Sequence, residues 1–181
     1  MSESTYDIVI LGAGSGGYAT ALRAAQLGMK VALIDGDKVG GTCLHTGCIP
    51  TKAYLHAAEL AEDAREASKV GVNTELQSIE MGKVRNYKDG IVGGKFKGLS
   101  GLLKMKGVEV INGEGKLTGK DTITVNGTEY KGKNIVLASG SVSKTFGLPI
   151  EGRVLTSTEA LEMDYLPNSA IVLGGGVIGC E

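Results

Sequence analysis

Two of the three cysteines in this chain, Cys43 and Cys48, stand close together in the stretch GGTCLHTGCIPTK, residues 40–52. The thiolate, not the thiol, is the reactive form of cysteine, so the question is what favours it here. The run from Ile49 to Lys69 is dominated by Ala, Leu and Glu and is predicted to be helix, with Pro50 suited to its first turn. Cys48 then falls at the N-terminal edge of that helix, where backbone N–H groups and the helix dipole favour negative charge. Lys52 follows four residues later and shares a helical face with Cys48, adding a cation beside a thiolate. The step between the cysteines is short enough to bring two sulfurs within disulfide reach. Three readings are open. One is a redox-active dithiol beside a bound cofactor, with one sulfur exchanging with substrate and the other facing the cofactor. A second is a zinc site from Cys43, His45 and Cys48, which lacks the further ligands of a tetrahedral centre. The third is a pair of inert buried thiols. Cys180 is expected to be a small core residue and His56 an ordinary helix residue.

The other chemistry-bearing pattern is glycine. In YDIVILGAGSGGYATALRAAQLGMKVALIDGD, Gly12, Gly14 and Gly17 give the G-x-G-x-x-G spacing. Ile8 to Leu11 before it reads as a buried parallel strand, Tyr18 to Gln26 after it as a helix, and Val31 to Ile34 as the next strand. Gly12 permits the tight turn, Gly14 lets the backbone approach a pyrophosphate, and Gly17 lets helix and strand pack closely. Phosphates then sit at the positive end of the helix, and Asp35, at the end of the second strand, can bind a ribose hydroxyl.

These groups must be positioned by the rest of the chain. Lys83 to Lys106 is predicted to be a long helix despite its glycines, its lysines a solvated face. VEVING, GKLT, DTITVNG and TEYKG read as a small antiparallel meander, with a hairpin at Asn126-Gly127. KNIVLASGS reads as a buried strand ending in a glycine turn. LPNSAIVLGGGVIGCE then repeats the first motif, with Ala170 to Leu173 as an apolar strand and Gly174, Gly176 and Gly179 at the same spacing. The chain thus reads as α/β: a Rossmann-like domain over residues 1–150, with a parallel sheet and a small antiparallel β-meander, and at residues 151–181 the beginning of a second Rossmann-like domain. It looks like the N-terminal part of a longer two-nucleotide protein.

Composition excludes other classes. A net charge of −1 and the absence of Trp argue against a nucleic-acid partner. No run approaches the roughly 20 apolar residues of a membrane span. The start of the chain has no basic region before its apolar run, so no leader is expected and cytoplasm is the default. There, close cysteines more often mean redox or metal chemistry than a static crosslink.

GGTCLHTGCIPTK resembles the redox-active disulfide segment of the flavin disulfide reductases, and its wording is most similar to the dihydrolipoamide dehydrogenases. The two glycine stretches, VEVINGEGKL and IVLASGS match the family's order, so the resemblance covers essentially the whole chain. It implies FAD held by Gly12, Gly14, Gly17 and Asp35, with Thr42 near the pyrophosphate, Gly115 near the adenine, and Ala138, Ser139 and Gly140 as the family's strand-end motif. Cys43 is implied as the interchange thiol and Cys48 as the thiol in charge-transfer contact with the flavin. Lys52 is implied near the flavin's reactive nitrogen, meeting Glu181 there. Gly174, Gly176 and Gly179 begin an NAD site. The implied reaction oxidises dihydrolipoyl groups through the Cys43–Cys48 disulfide and FAD, with hydride transfer to NAD⁺. The implied partners are the lipoyl domains of 2-oxoacid dehydrogenase complexes and a second copy of the chain in a homodimer. Asp35 stands where Glu is usual, His45 where Asn is common, and Ser139 where Thr is usual. Other FAD-dependent disulfide reductases, acting on glutathione-like disulfides or mercuric ion, and a catalytically silent flavoprotein scaffold are the alternatives.

Overall fold

The structure is a computed structural model and describes residues 5–181. Its elements run β1 (Thr5–Leu11), α1 (Ser15–Gln26), β2 (Val31–Asp35), α2 (Gly41–His45), α3 (Cys48–Glu66), a one-turn 3-10 helix (Ala67–Val70), α4 (Met81–Met105), β3 (Glu109–Asn112), β4 (Gly115–Leu117), β5 (Thr122–Val125), β6 (Thr128–Leu137), α5 (Ser157–Ala160) and α6 (Val177–Cys180). The residues fall into two compact units. One joins residues 5–44 with Gly94–Val142; the other joins His45–Gly93 with Ser143–Glu181.

The first unit holds all six strands of the described residues in one sheet, ordered β3-β2-β1-β6-β5-β4. β1 pairs in parallel with β2 and with β6, and β2 in parallel with β3, while β4, β5 and β6 are antiparallel neighbours. The central strands are continuous apolar runs because both faces of the sheet are covered. Ile8, Ile10, Val31 and Leu33 pack on one face with Ala21, Ala24 and Leu103; Val9, Ala32 and Ile34 pack on the other with Ile123 and Val125. Each apolar run is therefore split between two cores by the period of two along a strand.

Two sequence expectations about the strands of this sheet change. The VEVING segment is not part of the meander, because β3 joins the parallel side of the sheet beside β2. TEYKG and KNIVL are not two pieces but the single ten-residue strand β6. Its first residues pair with β5 and its last with β1, so one strand serves two ladders of opposite sense. The hairpin at Asn126-Gly127 is present between β5 and β6, with φ of 49° and 80° at the two turn residues. Two positive values in succession make the turn whose twist matches a hairpin.

The second unit contains α3, the first half of α4 and the segment that carries α5 and α6. α4 keeps its helical course through Gly90, Gly93 and Gly94, although a glycine in a helix interior costs about 1 kcal/mol relative to alanine. Ala170–Leu173, expected as a strand, forms none; Ile171, Val172 and Leu173 are 92%, 63% and 69% exposed. A strand exists only with a neighbour, and among the described residues nothing pairs with this run. Cys180, expected in a core, is an exposed free thiol for the same reason. Among the described residues no helix is long and apolar enough to cross a membrane.

Candidate redox and nucleotide site

The glycine turn at the end of β1 is shaped by two close approaches. Gly12 has φ 101°, and a Cβ there would lie 2.2 Å from the Ala138 carbonyl oxygen. A Cβ on Gly17 would lie 1.7 Å from the Gly12 carbonyl oxygen, so helix and strand touch backbone to backbone. Gly14 differs, because the nearest atom to a Cβ there is 3.8 Å away, at Gly41. That Gly41 Cα is the one described atom within 4 Å of the Cβ position, at ordinary contact distance, and a Cβ on Gly41 would in turn lie 2.6 Å from the Gly14 Cα, so the two backbones pack against each other there. Gly14 is also the N-cap of α1, and no side chain caps that helix. An anion suits its open N-terminal amides and positive dipole end. These features fit a bound pyrophosphate.

The rest of the implied FAD set gathers around this turn. Ala138 extends β6, and its N–H donates to the Leu11 carbonyl at 2.7 Å; Ser139 and Gly140 (φ 74°) follow. The loop before Cys43 leans on the turn, with the Gly40 N–H donating to the Ala13 carbonyl at 2.8 Å. Thr42 is exposed on α2, next to that contact. The Asp35 carboxylate accepts the Ala13 N–H through one oxygen and the Asp37 N–H at 2.9 Å through the other. Asp35 therefore braces the turn, and each oxygen keeps a lone pair for a hydroxyl. Gly115 opens β4, where a Cβ would lie 2.6 Å from Leu11 and 3.0 Å from Ile34, so packing alone requires glycine there. A cavity of about 770 Å³ opens beyond Asp35, lined by Asp37, Lys38, Phe96, Leu103 and Glu109 among others, and includes no expected site residue.

Cys43 and Cys48 are both disulfide-bonded, and Cys180 is the free thiol. That removes the reading as inert thiols and leaves no thiolate to bind zinc. Cys48 is the first residue of α3, whose first turn is closed by the Thr51 N–H on the Gly47 carbonyl at 3.0 Å. On that turn the Lys52 ammonium forms an ion pair with the Glu181 carboxylate, the meeting that the resemblance implied. Their side chains are 57% and 31% exposed, so the pair by itself contributes about 0–1 kcal/mol.

The second glycine turn repeats the first. Gly174 has φ 114°, a Cβ on Gly179 would lie 2.0 Å from the Gly174 carbonyl oxygen, and Gly176 caps α6 with φ −78° and ψ 179°, beside −68° and −172° at Gly14.

A further cluster was not expected. The Lys88 side chain on α4 is only 2% exposed, and its Nζ donates to Asp89 Oδ1 at 2.8 Å, Glu162 Oε1 at 2.8 Å and the Leu161 carbonyl at 3.2 Å. Arg85 Nη2 meets Glu162 Oε2 at 3.0 Å, and the Tyr54 hydroxyl donates to the same Leu161 carbonyl at 3.1 Å. Burial pulls the Lys88 ammonium down, but its bonds to Asp89 and Glu162 outweigh that and hold it above the ordinary lysine value. Burial raises the Tyr54 hydroxyl. The sequence predicts one solvated face for the lysines of α4, and Lys88 departs from it. The signal was its spacing, four residues after Val84 and three before Ile91, on the half-buried side.

Comparison with known proteins agrees with this geometry. The family model described as pyridine nucleotide-disulphide oxidoreductase matches residues 6–181. The chain is similar to the dihydrolipoyl dehydrogenase of Bacillus subtilis (strain 168), 45% identical over 97% of this chain and 40% of the relative. It is 40% identical to that of Acholeplasma laidlawii, over 97% of this chain and 54% of the relative. It is 42% identical to the mitochondrial enzyme of Dictyostelium discoideum, over 99% of this chain and 39% of the relative. The chain thus spans between 39% and 54% of the length of these relatives. A match that runs from β1 through both glycine turns places the chain in the pyridine nucleotide-disulphide oxidoreductase family.

Proposed function

We propose that the protein is an FAD-dependent dihydrolipoyl dehydrogenase, of which this chain supplies the redox disulfide and the FAD-side turn. The observation that carries the reading is a disulfide-bonded cysteine, Cys48, as the first residue of a 19-residue helix with a lysine one turn on. The substrate dithiol, as thiolate, attacks Cys43 Sγ; the Cys43–Cys48 bond breaks and Cys48 leaves as a thiolate. The second substrate sulfur then displaces Cys43, closing the lipoyl disulfide. The substrate loses two electrons and two protons: the cysteine pair gains the electrons, one proton goes to water when the first thiol ionises, and the other passes from the second thiol to Cys43 Sγ. The N-terminal end of α3 stabilises the Cys48 thiolate through its amides and dipole. Lys52, paired with Glu181, places a positive charge where negative charge develops. A bound FAD would supply the two-electron chemistry that links the cysteine pair to NAD⁺. Gly12, Gly14, Gly17, Asp35, Thr42, Gly115, Ala138, Ser139 and Gly140 would hold the FAD, and Gly174, Gly176 and Gly179 would open the NAD site. Residues 1–150 and 151–181 then belong to the FAD and NAD domains, respectively. A homodimer, a cytoplasmic location and lipoyl-domain partners belong to the same proposal and rest on the resemblance.

The test uses the full-length protein. Denaturation should release a yellow flavin, and reduction should raise the count of titratable thiols by two, a gain absent in Cys43→Ser. Turnover with dihydrolipoamide and NAD⁺, and none with glutathione disulfide or mercuric ion, selects this enzyme. A thiol count unchanged by reductant would point to the silent scaffold.

A further inference from the structure

The exposed Lys52–Glu181 pair cannot by itself hold a chain segment in place, yet Glu181 stands beside Lys52. Something else must restrict where that segment goes. Between α5 and Glu181 the backbone hydrogen bonds are local to each turn. The restraint is at the other end of the segment. Thr156 and Glu159 form a capping box that fixes the start of α5. At its end, the Leu161 carbonyl takes Tyr54 from α3 and Lys88 from α4, and the Glu162 carboxylate takes Lys88 and Arg85. Lys88 offers three N–H donors and finds three acceptors, so its buried charge is fully satisfied. A buried charge of this kind is costly to unpair, which makes this the stiff end of the segment. Tyr54 lies two residues beyond Lys52 on α3, so the anchor grips the same helix turn that carries the ion pair. Fixing one end of a flexible segment raises the local concentration of whatever lies at the other.

We propose that Lys88 is a positioning residue for the redox centre: by locking Leu161 and Glu162 onto α3 and α4 it delivers the Glu181 carboxylate to Lys52, and so sets the net charge beside Cys48. The inference rests on the reading of Cys48 as a redox thiol and goes beyond it, to the device that tempers its neighbouring cation. With Glu181 in place, Lys52 is neutralised in part. With Glu181 released, Lys52 acts on Cys48 alone and favours the thiolate more.

The experiment is a double-mutant cycle in the full-length protein, reduced anaerobically, with the alkylation rate of Cys48 by iodoacetamide followed against pH by mass spectrometry. Lys88→Met and Glu181→Gln should each move the Cys48 profile to lower pH by about half a unit, roughly a threefold faster rate below its midpoint. The double variant should move it no further than either alone, because both changes remove the same carboxylate. Lys88→Arg, which keeps the charge and reaches Glu162, should restore most of the original profile. An unchanged profile in Lys88→Met, or shifts that add in the double variant, would overturn the proposal. Should Lys88→Met fail to fold, Glu162→Gln replaces it; the same direction with a smaller shift is expected, and no shift overturns the proposal. Full-length protein without flavin would sink the proposed function, while the Cys48 profile would still decide the role of Lys88.

Discussion

The turn at Gly12 and the turn at Gly174 have nearly the same backbone, but what leads into them differs. Ile8–Leu11 enters the first turn as a strand between two partners, and its Val9 and Ile10 are fully buried. Ile171–Leu173 enters the second with an equally apolar sequence, no ladder and exposed side chains. The turn is a local object: three glycines, one with positive φ and one pressed against a carbonyl, decide it. The strand is not local, because its hydrogen bonds belong to its neighbours. The same words in a sequence therefore fix a turn wherever they occur, and a strand only where a sheet waits for it.

The sharpest way to break the comparison is to put a methyl group in both turns. Gly17→Ala should destabilise the first unit by about 4 kcal/mol or more, since its Cβ overlaps backbone that the sheet holds in place. Gly179→Ala meets an equally close carbonyl, but on an exposed segment, and should change the urea midpoint of this chain by less than about 0.5 kcal/mol equivalent. Equal losses in urea titrations would mean that the second turn is part of the cooperative fold. Truncating the runs that lead in comes next. Ile10→Ala should cost about 2–5 kcal/mol and Ile171→Ala about nothing, as thermal melts would report.

The segment leading to the second turn is held by Lys88 rather than by a ladder, so alkali should free it first. The folded-state value of Lys88 is raised, so its contribution is complete below 10.5, the ordinary lysine value, and is lost as pH climbs past that through the folded value. Limited proteolysis with an alkaline protease should show residues 163–176 becoming cleavable above that pH while β1 stays protected. The smallest effect separates glycines that shape a turn from glycines that shape nothing. Gly98 in α4 has ordinary φ and no atom within 4 Å of a Cβ position. Gly98→Ala should raise stability by about 0.5–1 kcal/mol, seen as a higher urea midpoint.

The legible parts of this molecule were those in which sequence acts over a few residues. The glycine spacing, the Asn126-Gly127 turn, Cys48 at a helix start and the long α4 were all readable, because caps, positive φ and helical period are local properties. The partner of each strand was not. Nothing within VEVING says that it lies beside β2, and nothing within TEYKG says that the strand runs on to Leu137. The Lys88 cluster was missed because a lysine usually marks solvent. The acceptors that overturn this, Leu161 and Glu162, come from a distant part of the chain. The Lys52–Glu181 pair is as remote, and only the resemblance pointed to it.

The double duty of β6 sets a timetable for the growing chain. β1 can meet β2 as soon as Asp35 has been made, but its other edge must wait for a partner as late as Leu137. At about 5–20 residues per second, translation leaves that edge open for on the order of ten seconds. Meanwhile the chain from α2 to β5 must emerge without β1 pairing elsewhere, and an unpaired apolar edge is what invites wrong partners. A nascent chain stalled after α4 should therefore bind a holding chaperone through β1, and one stalled well beyond Leu137 should have let it go.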